Sequence, residues 1–578
     1  MAKLVLWNSV AKRRRSISDT FYDNGLATLQ VYLEDKGHEV EIIDLAQDAF
    51  FAGLSRSILC GLIRRIYRRM PGFKNKSAKK AWGFVSILLQ DELSAAQARR
   101  MKRKLIALAL ELKRKNAWVF GIKIWYGEAF SNARFLASEL KKISPETIVI
   151  AGGYHVTLYE ERLIKNSDFD LGVVCEGEFA LAKILSIVDA HKGSWNKEHV
   201  LDDIVNLALQ GKIENLLYRK DTQILRTARK EIKVYSSKSI PRYQITPYKT
   251  GIHVLVESLG CDWNKCYFCV HSQFYAHYSL RDPDEIVREI EEMRKFGISV
   301  FRFAGSDTPP AFGAKLASKI KGKGLKIIFG MGSRALRGAK NNFEGLVEAY
   351  SALIESGLRA VFMGGETGND LINQKVMNKG VCFEDIVHTI KALREAEKRV
   401  GEKVFLSLAF IYPTPLLGLA SLAQVKADNI RLLKETLPDS AMITPPGPFL
   451  HTMWYDEQDN FGFKVSEKDI TDAMEYEYVL YKPPHLWPKL GISLEGKPFE
   501  KLLEECNEFR QIVEHDLRIP TDLSDEHFLM FYCAGIKEKG DIEKAKQETM
   551  LDIVSCDYRA TVEISRKVNE FSRKLSGS

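Results

Sequence analysis

The stretch Gly260-Cys261-Asp262-Trp263-Asn264-Lys265-Cys266-Tyr267-Phe268-Cys269 puts three thiols into nine positions, in a chain with nine cysteines among 578 residues. So sparse and odd a number excludes a secreted disulfide scaffold, and the crowding points to a soft metal centre. The next thirty residues add no cysteine, only His271 and His277. A structural zinc site closes with four ligands. A [4Fe–4S] cube held by three thiolates instead keeps one iron open to a small molecule. Spacing alone leaves both readings standing. Cys506, Cys533 and Cys556 lie far apart on helix-like segments, match no cluster spacing, and read as buried free thiols.

A strand-like run at 253–259 immediately precedes the cysteines, and further apolar runs follow at 300–304, 326–331, 360–363, 404–411 and 440–444. Helical periodicity fills the gaps, as at 283–296, 342–356 and 383–397. This series predicts a partial (β/α)6 barrel of TIM type over 251–445, with its active groups at the C-terminal strand ends. Residues 404–425 are uncharged over a membrane-spanning length, yet Pro413 and Pro415 interrupt them. They read as a buried strand running into a loop rather than a membrane helix.

Upstream, apolar runs at 3–7, 38–45, 117–124, 147–151 and 170–174 alternate with helical patterns at 25–36 and 132–142. The fold class is therefore α/β, opening with a doubly wound, Rossmann-like parallel sheet over 1–190. A helical insertion at 55–115 carries Arg64, Arg65, Arg68, Arg69, Arg99, Arg100, Lys102, Arg103 and Lys104. Such a face is either solvated surface or a contact for an anionic partner. Residues 191–250 read as a polar connector, and 446–578 as an aromatic-rich, then mainly helical, C-terminal region. In that region Phe449, Trp454, Phe461, Phe463, Tyr476, Tyr478, Tyr481 and Trp487 either line an apolar substrate pocket or close the open side of the barrel.

A composition of 45% hydrophobic and 28% charged residues excludes a disordered or low-complexity chain. A net charge of +9 favours acidic substrates without implying nucleic acid. The N-terminal basic run follows its apolar stretch, the reverse of a secretory signal, so a soluble cytoplasmic protein is expected.

Three clustered cysteines with an aromatic residue before the last, on the loop after the first strand of an incomplete barrel, resemble the radical S-adenosylmethionine (SAM) superfamily. The usual spacing is three residues then two, whereas here four residues separate Cys261 from Cys266. The resemblance implies a [4Fe–4S] cluster on Cys261, Cys266 and Cys269, with SAM on the open iron. It also implies SAM contacts from Phe268, from Gly305, Ser306 and Asp307 after the second strand, and from Ser333 and Arg334 after the third. Gly364, Gly365 and Glu366 close the fourth strand in the same way, followed by Met377-Asn378-Lys379-Gly380.

A strand ending in Gly152-Gly153-Tyr154-His155, then one ending in Glu176-Gly177-Glu178, resembles the cobalamin-binding domain placed ahead of many radical SAM enzymes. The resemblance implies cobalamin contacts from these seven residues. Trp125 and Tyr126 would either cover a cobalt face or belong to the core. No Asp-x-His-x-x-Gly pattern offers cobalt an imidazole.

The implied activity is reductive SAM cleavage to a 5′-deoxyadenosyl radical, followed by C-methylation of an unactivated carbon in a natural-product, peptide or lipid-like substrate. Alternatives with the same cofactors are cyclisation, oxidation or rearrangement. Methylthiotransfer to tRNA ranks lower, because Cys60 and Cys175 are the only earlier cysteines and the tail reads helical. Expected partners are that substrate and an electron donor such as flavodoxin or ferredoxin.

Overall fold

The computed structural model describes residues 3–14, 16–45, 58–69, 76–230, 239–246, 248–275, 277–476 and 487–577. The first sheet comprises β1 (Lys3–Asn8), β2 (Glu39–Ile43), β3 (Val119–Lys123), β4 (Ile148–Gly152), β5 (Leu171–Val173), β6 (Leu216–Lys220) and β7 (Gln223–Arg226). Its order is β2-β1-β3-β4-β5-β6-β7. The first five strands run parallel, and β6 and β7 add antiparallel to the edge. Apolar side chains such as Leu4, Leu6, Val119 and Ile150 pack on one face, and Val5, Phe120 and Val149 on the other. Burial of both faces explains why these strands read as continuous apolar runs. In this strand order the chain reverses between β1 and β3, and ligands bind outside the C-terminal strand ends beside such a switch.

The stretch read as a connector, 191–250, contributes the helix Lys197–Leu209 and the β6–β7 hairpin to this first unit. Asp221 turns the hairpin with a positive φ of 53°. The sequence does not announce these edge strands, because β6 ends in exposed Arg219 and Lys220 and so lacks a long apolar run.

The second sheet comprises β8 (Ile252–Leu255), β11 (Val300–Phe303), β12 (Ile328–Arg334), β13 (Leu358–Glu366), β14 (Phe405–Ile411) and β15 (Ser440–Thr444). All pairings are parallel, in the order β8-β11-β12-β13-β14-β15. This is the six-stranded partial barrel. A small antiparallel pair, β9 (Ser258–Leu259) and β10 (Ser279–Leu280), brackets the cysteine loop. The uncharged stretch from Val404 forms β14 and the turn beyond it. Among the described residues no helix is long and apolar enough to cross a membrane.

The C-terminal helices determine which end of the barrel is open. Phe528, Leu529 and Phe531 of the helix Asp525–Cys533 pack on Ile252, Val300, Ile328, Ala360 and Phe405, each at or near the start of its strand. Phe405 and Phe528 stack at 4.9 Å. This plug seals the N-terminal end, so the ligands must enter at the C-terminal end. The helices Lys539–Ser555 and Arg559–Ser576 complete the C-terminal region.

The basic stripe of the insertion has a partly internal role. Arg64 is buried and meets Asp552 at 2.6 Å, while Arg68 meets Glu548 at 2.6 Å, both acids on the helix Lys539–Ser555. The helix Ile58–Arg69 is thereby tied to the helix Lys539–Ser555 rather than left wholly solvated.

A buried chain of polar groups pins β8. His253 Nδ1 lies 2.8 Å from the Tyr243 hydroxyl, its Nε2 lies 2.7 Å from Glu289, and Arg281 meets Glu289 at 2.7 Å. Burial alone would raise the Glu289 carboxyl, but His253 and then Arg281 outweigh it and hold it at about 2. A depressed carboxylate stabilises the fold fully above its ordinary range, and that stability is lost as pH falls. Unfolding midpoints should therefore decline as the pH drops from about 4.5 toward about 2, and Glu289→Gln should flatten this slope. An unchanged slope in the variant would remove Glu289 as its origin.

Candidate functional site

The cysteine loop leaves β9 through Gly260, whose φ of +72° and close approach to His277 O (3.0 Å from an added Cβ) require glycine. The extra residue between Cys261 and Cys266 is accommodated by Asn264, which takes a left-handed φ of 45°. Asparagine tolerates this region better than most residues. The rest of the loop is clamped by the 377–380 segment. Trp263 Nε1 donates to Asn378 O at 2.6 Å, Asn378 Nδ2 to Lys265 O at 2.8 Å, and Tyr267 N to Met377 O at 3.0 Å. Trp263 lies over Gly380, where an added Cβ would come within 2.4 Å of the ring. The motif Met377-Asn378-Lys379-Gly380 is thus the bracket that shapes the loop.

The tail aromatics stand behind it. Trp454 N donates to Tyr267 O at 3.1 Å and its Nε1 to Val376 O at 2.9 Å. Its ring lies 5.6 Å from that of Phe268, and Tyr267 meets Phe461 at 5.7 Å. Trp454, Phe461, Phe463 and Trp487 are buried, and Tyr476 packs against the same core. These residues close the barrel, whereas Phe449 is exposed. Tyr478 and Tyr481 lie outside the described residues.

The strand ends converge on the cysteines. Burial pushes the Cys266 thiol up to about 12, with Cys269 and Glu366 acting in the same direction and Lys379 and Arg334 opposing them. Lys379 Nζ meets Glu366 at 2.6 Å with both side chains buried. Burial alone would lower the Lys379 ammonium, but Glu366, followed by the nearby Cys266, raises it above its ordinary value. Asp307 is buried and accepts from Arg334 N at 3.2 Å. Burial raises its carboxyl against the pull of Arg334. Ser306 Oγ lies 3.0 Å from His271 Nδ1, and Ser333 is buried beside Thr308. Gly365 differs from its neighbours: an added Cβ would meet Leu408 at 3.2 Å, so its open side packs on β14 rather than facing the loop.

Two residues of this set were not assigned from the sequence. Lys379 lay in a noted motif without a role. Glu257 is wholly buried and accepts from Gly305 N at 3.0 Å and from the Thr308 hydroxyl. It fixes the turn after β11, since an added Cβ on Gly305 would come within 2.4 Å of its carboxylate. A carboxylate at the end of an apolar strand was the available signal.

The donor set fits a cluster with SAM. Cys261, Cys266 and Cys269 lie half-buried on the one loop. Three corners of a cube ask each thiolate to meet a different iron. Arg334 Nε is buried with no hydrogen-bond partner among the described residues, which suits an incoming carboxylate.

The second part of the site is a cavity of about 350 Å³ at the C-terminal ends of β1, β3, β4 and β5. Gly152, Gly153, Tyr154, Glu176, Gly177 and Glu178 line it. Its far wall is His271, Phe274 and Tyr275, which follow Cys269 directly. Tyr154 and Phe274 touch at 4.7 Å, and burial followed by the Cys269 charge raises the Tyr154 phenol. A cavity of this size suits the nucleotide-sized part of a cobalamin.

Three of the residues assigned to cobalamin stand elsewhere. His155 is buried between Phe130 (5.2 Å) and Tyr159 (4.7 Å), because its phase on the helix Tyr154–Lys165 turns it into the core. Trp125 and Tyr126 are exposed beyond β3 and outside the cavity lining, with the Trp125 indole held by Asn8 at 2.8 Å.

Residues 257–413 match the Radical SAM superfamily, and residues 91–185 match the B12 binding domain. The chain carries a B12-binding domain followed by a radical SAM domain. Their cofactors are cobalamin, and SAM with a [4Fe–4S] cluster. The fold is similar to the radical SAM methyltransferase TsrM from Kitasatospora setae with cobalamin and [4Fe-4S] cluster bound. There the TM-score is 0.58 at 14% identity, covering 95% of this chain and 100% of that one. It is also similar to the cobalamin-dependent radical SAM enzyme OxsB with aqua-cobalamin and SAM bound, with a TM-score of 0.53 at 14% identity over 96% of this chain and 72% of that one.

In sequence, the chain is 24% identical over 289 residues to an anaerobic magnesium-protoporphyrin IX monomethyl ester cyclase of Cereibacter sphaeroides, covering 46% of this chain and 44% of the cyclase. A cyclase of the same name from Synechocystis sp. is 25% identical over 175 residues, covering 28% of this chain and 32% of that one. The chain thus spans less than half the length of these curated relatives.

Gly153 should be decisive for the corrinoid. Its φ of +96° strains any side chain, and an added Cβ would meet Lys123 Cγ at 3.2 Å and the Ile124 backbone at 3.4 Å. Gly153→Val should cut the corrinoid retained through gel filtration by at least about tenfold. Retention equal to the parent's would show that the Gly152–Gly153 turn is not the cradle.

Proposed function

We propose that the protein is a cobalamin-dependent radical SAM enzyme that methylates an unactivated carbon of a natural-product, peptide or lipid-like substrate. One observation carries the reading: the cavity lined by Gly152 and Gly153 shares the wall His271, Phe274 and Tyr275 with the cysteine loop. Two cofactors placed this way flank a common space. When bound, the cluster and SAM supply a hydrogen-abstracting radical, and cobalamin supplies a transferable methyl group.

The chain's own residues do the positioning. Cys261, Cys266 and Cys269 hold the cluster, and Arg334 offers its unpaired Nε to the SAM carboxylate. Asp307, fixed by Arg334 N, and Glu366, fixed by Lys379, present acceptors toward the SAM amine. Glu257 locks the Gly305–Thr308 turn against which SAM would lie. The plug Asp525–Cys533 and the Trp454 packing exclude water from below and behind. The electron would come from a flavodoxin- or ferredoxin-type donor.

A second reading is ring formation without methyl transfer, favoured by the cyclase names of the curated relatives. Supplying trideuteromethyl-SAM to the anaerobically reconstituted protein separates the two. Label in the product supports methylation, an unlabelled cyclised product supports the second reading, and no 5′-deoxyadenosine at all overturns both.

A further inference from the structure

Residues 51–90 contain nine Lys or Arg and no Asp or Glu, which equals the whole chain's net charge of +9. The rest of the chain is neutral. Seven of these cations lie on two neighbouring helices that also expose apolar side chains; Arg64 and Arg68 among them are paired with Asp552 and Glu548, and Arg56 and Lys74 lie outside the described residues. On Ile58–Arg69, the exposed residues Ile58, Leu62, Arg65 and Arg69 follow at intervals of four, three and four, so they form one line. Ile58 is 94% exposed. On Lys76–Arg114, Ala81, Phe84, Val85 and Leu88 form a second exposed line, with Trp82 beside it and Phe84 64% exposed. The line ends at exposed Asp91 and Glu92.

We infer that this insertion docks the protein in the plane of an anionic lipid surface. The opposite faces of the two helices are committed elsewhere: Cys60, Ile63 and Leu93 pack with Val554, Cys556 and Tyr558. Among the described residues the outward lines therefore stay exposed. Apolar side chains flanked by cations match acyl chains beneath anionic headgroups, and an in-plane helix needs both. A second copy of the same face would meet it with like charge. Nucleic acid would match the cations and leave Phe84 and Leu88 without a role.

The test is flotation of the full-length protein with vesicles of phosphatidylglycerol and phosphatidylcholine in equal parts, against phosphatidylcholine alone. Binding to the anionic vesicles should exceed binding to the neutral ones by about tenfold or more and weaken at high salt. The pair Phe84→Ser with Leu88→Ser, and separately Arg65→Glu with Arg69→Glu, should each lower it by about tenfold. All four side chains are exposed, so thermal unfolding should stay unchanged. Should one pair disturb it, Leu62→Ser alone replaces that pair. Equal binding to both vesicle types, or to neither, overturns the inference. So does tight binding of a DNA duplex that the arginine pair abolishes and the Phe84 and Leu88 pair leaves intact.

Discussion

Replacing Lys379 by methionine should lower the barrel's stability by about 3–5 kcal/mol, the typical cost of stranding one partner of a buried ion pair. Lys379 and Glu366 meet at 2.6 Å with both side chains largely shielded, so Glu366 would keep a charge without a counterion. Cys266 would lose the same cation, the strongest of the charges that favour its ionised form. The double variant Lys379→Met with Glu366→Leu separates structure from chemistry. Two apolar side chains of similar bulk should restore most of the stability, because a buried pair contributes little net. SAM turnover should not return, since Glu366 is gone from the site. Thermal unfolding and 5′-deoxyadenosine formation measure the two effects. A single variant that melts like the parent would show that the pair is exposed to water in solution.

Cys266→Ala should reduce bound iron from about four atoms per chain to background and abolish SAM cleavage, because a cube held by two thiolates is exposed to loss. The parallel variant Cys506→Ala should keep its iron. Cys506 is buried, its Sγ lies 3.6 Å from Ile443 O, and burial pushes its thiol up to about 12, so it behaves as a core residue. Iron and sulfide assays with the visible spectrum decide the matter. Full iron content in Cys266→Ala would remove the loop as the cluster's seat.

What the sequence disclosed is what is written locally. A strand is a run of about five residues, and its end can be found by a glycine, so the parallel sheets and the Gly152–Gly153 turn were readable. The cysteine loop was readable for the same reason. The bracket around it was only half so. Met377-Asn378-Lys379-Gly380 could be noticed, but its grip on Trp263 joins residues 115 apart. Glu257 is a further case: as one carboxylate after an apolar run it looks like a turn residue, and only its burial under Gly305 and Thr308 assigns its work. The position of His155 is not legible in the sequence, because a helical phase difference of one residue separates Tyr154, on the cavity, from its neighbour in the core. The β6–β7 hairpin and the docking of Arg64 on Asp552 were illegible, because pairing between distant segments leaves no period in either of them.

The Arg64–Asp552 bond spans 488 positions. During synthesis at roughly 5–20 residues per second, Arg64 would wait about 25–100 s for its partner to be made. The floor of the barrel also arrives in that last stretch, with Phe528 and Phe531. Until then the ribosome carries an N-terminal sheet and six strands with an uncovered apolar underside. A stalled or prematurely released chain is therefore a candidate for chaperone capture, and truncation within the final helices should cost yield long before it touches any group that meets a cofactor.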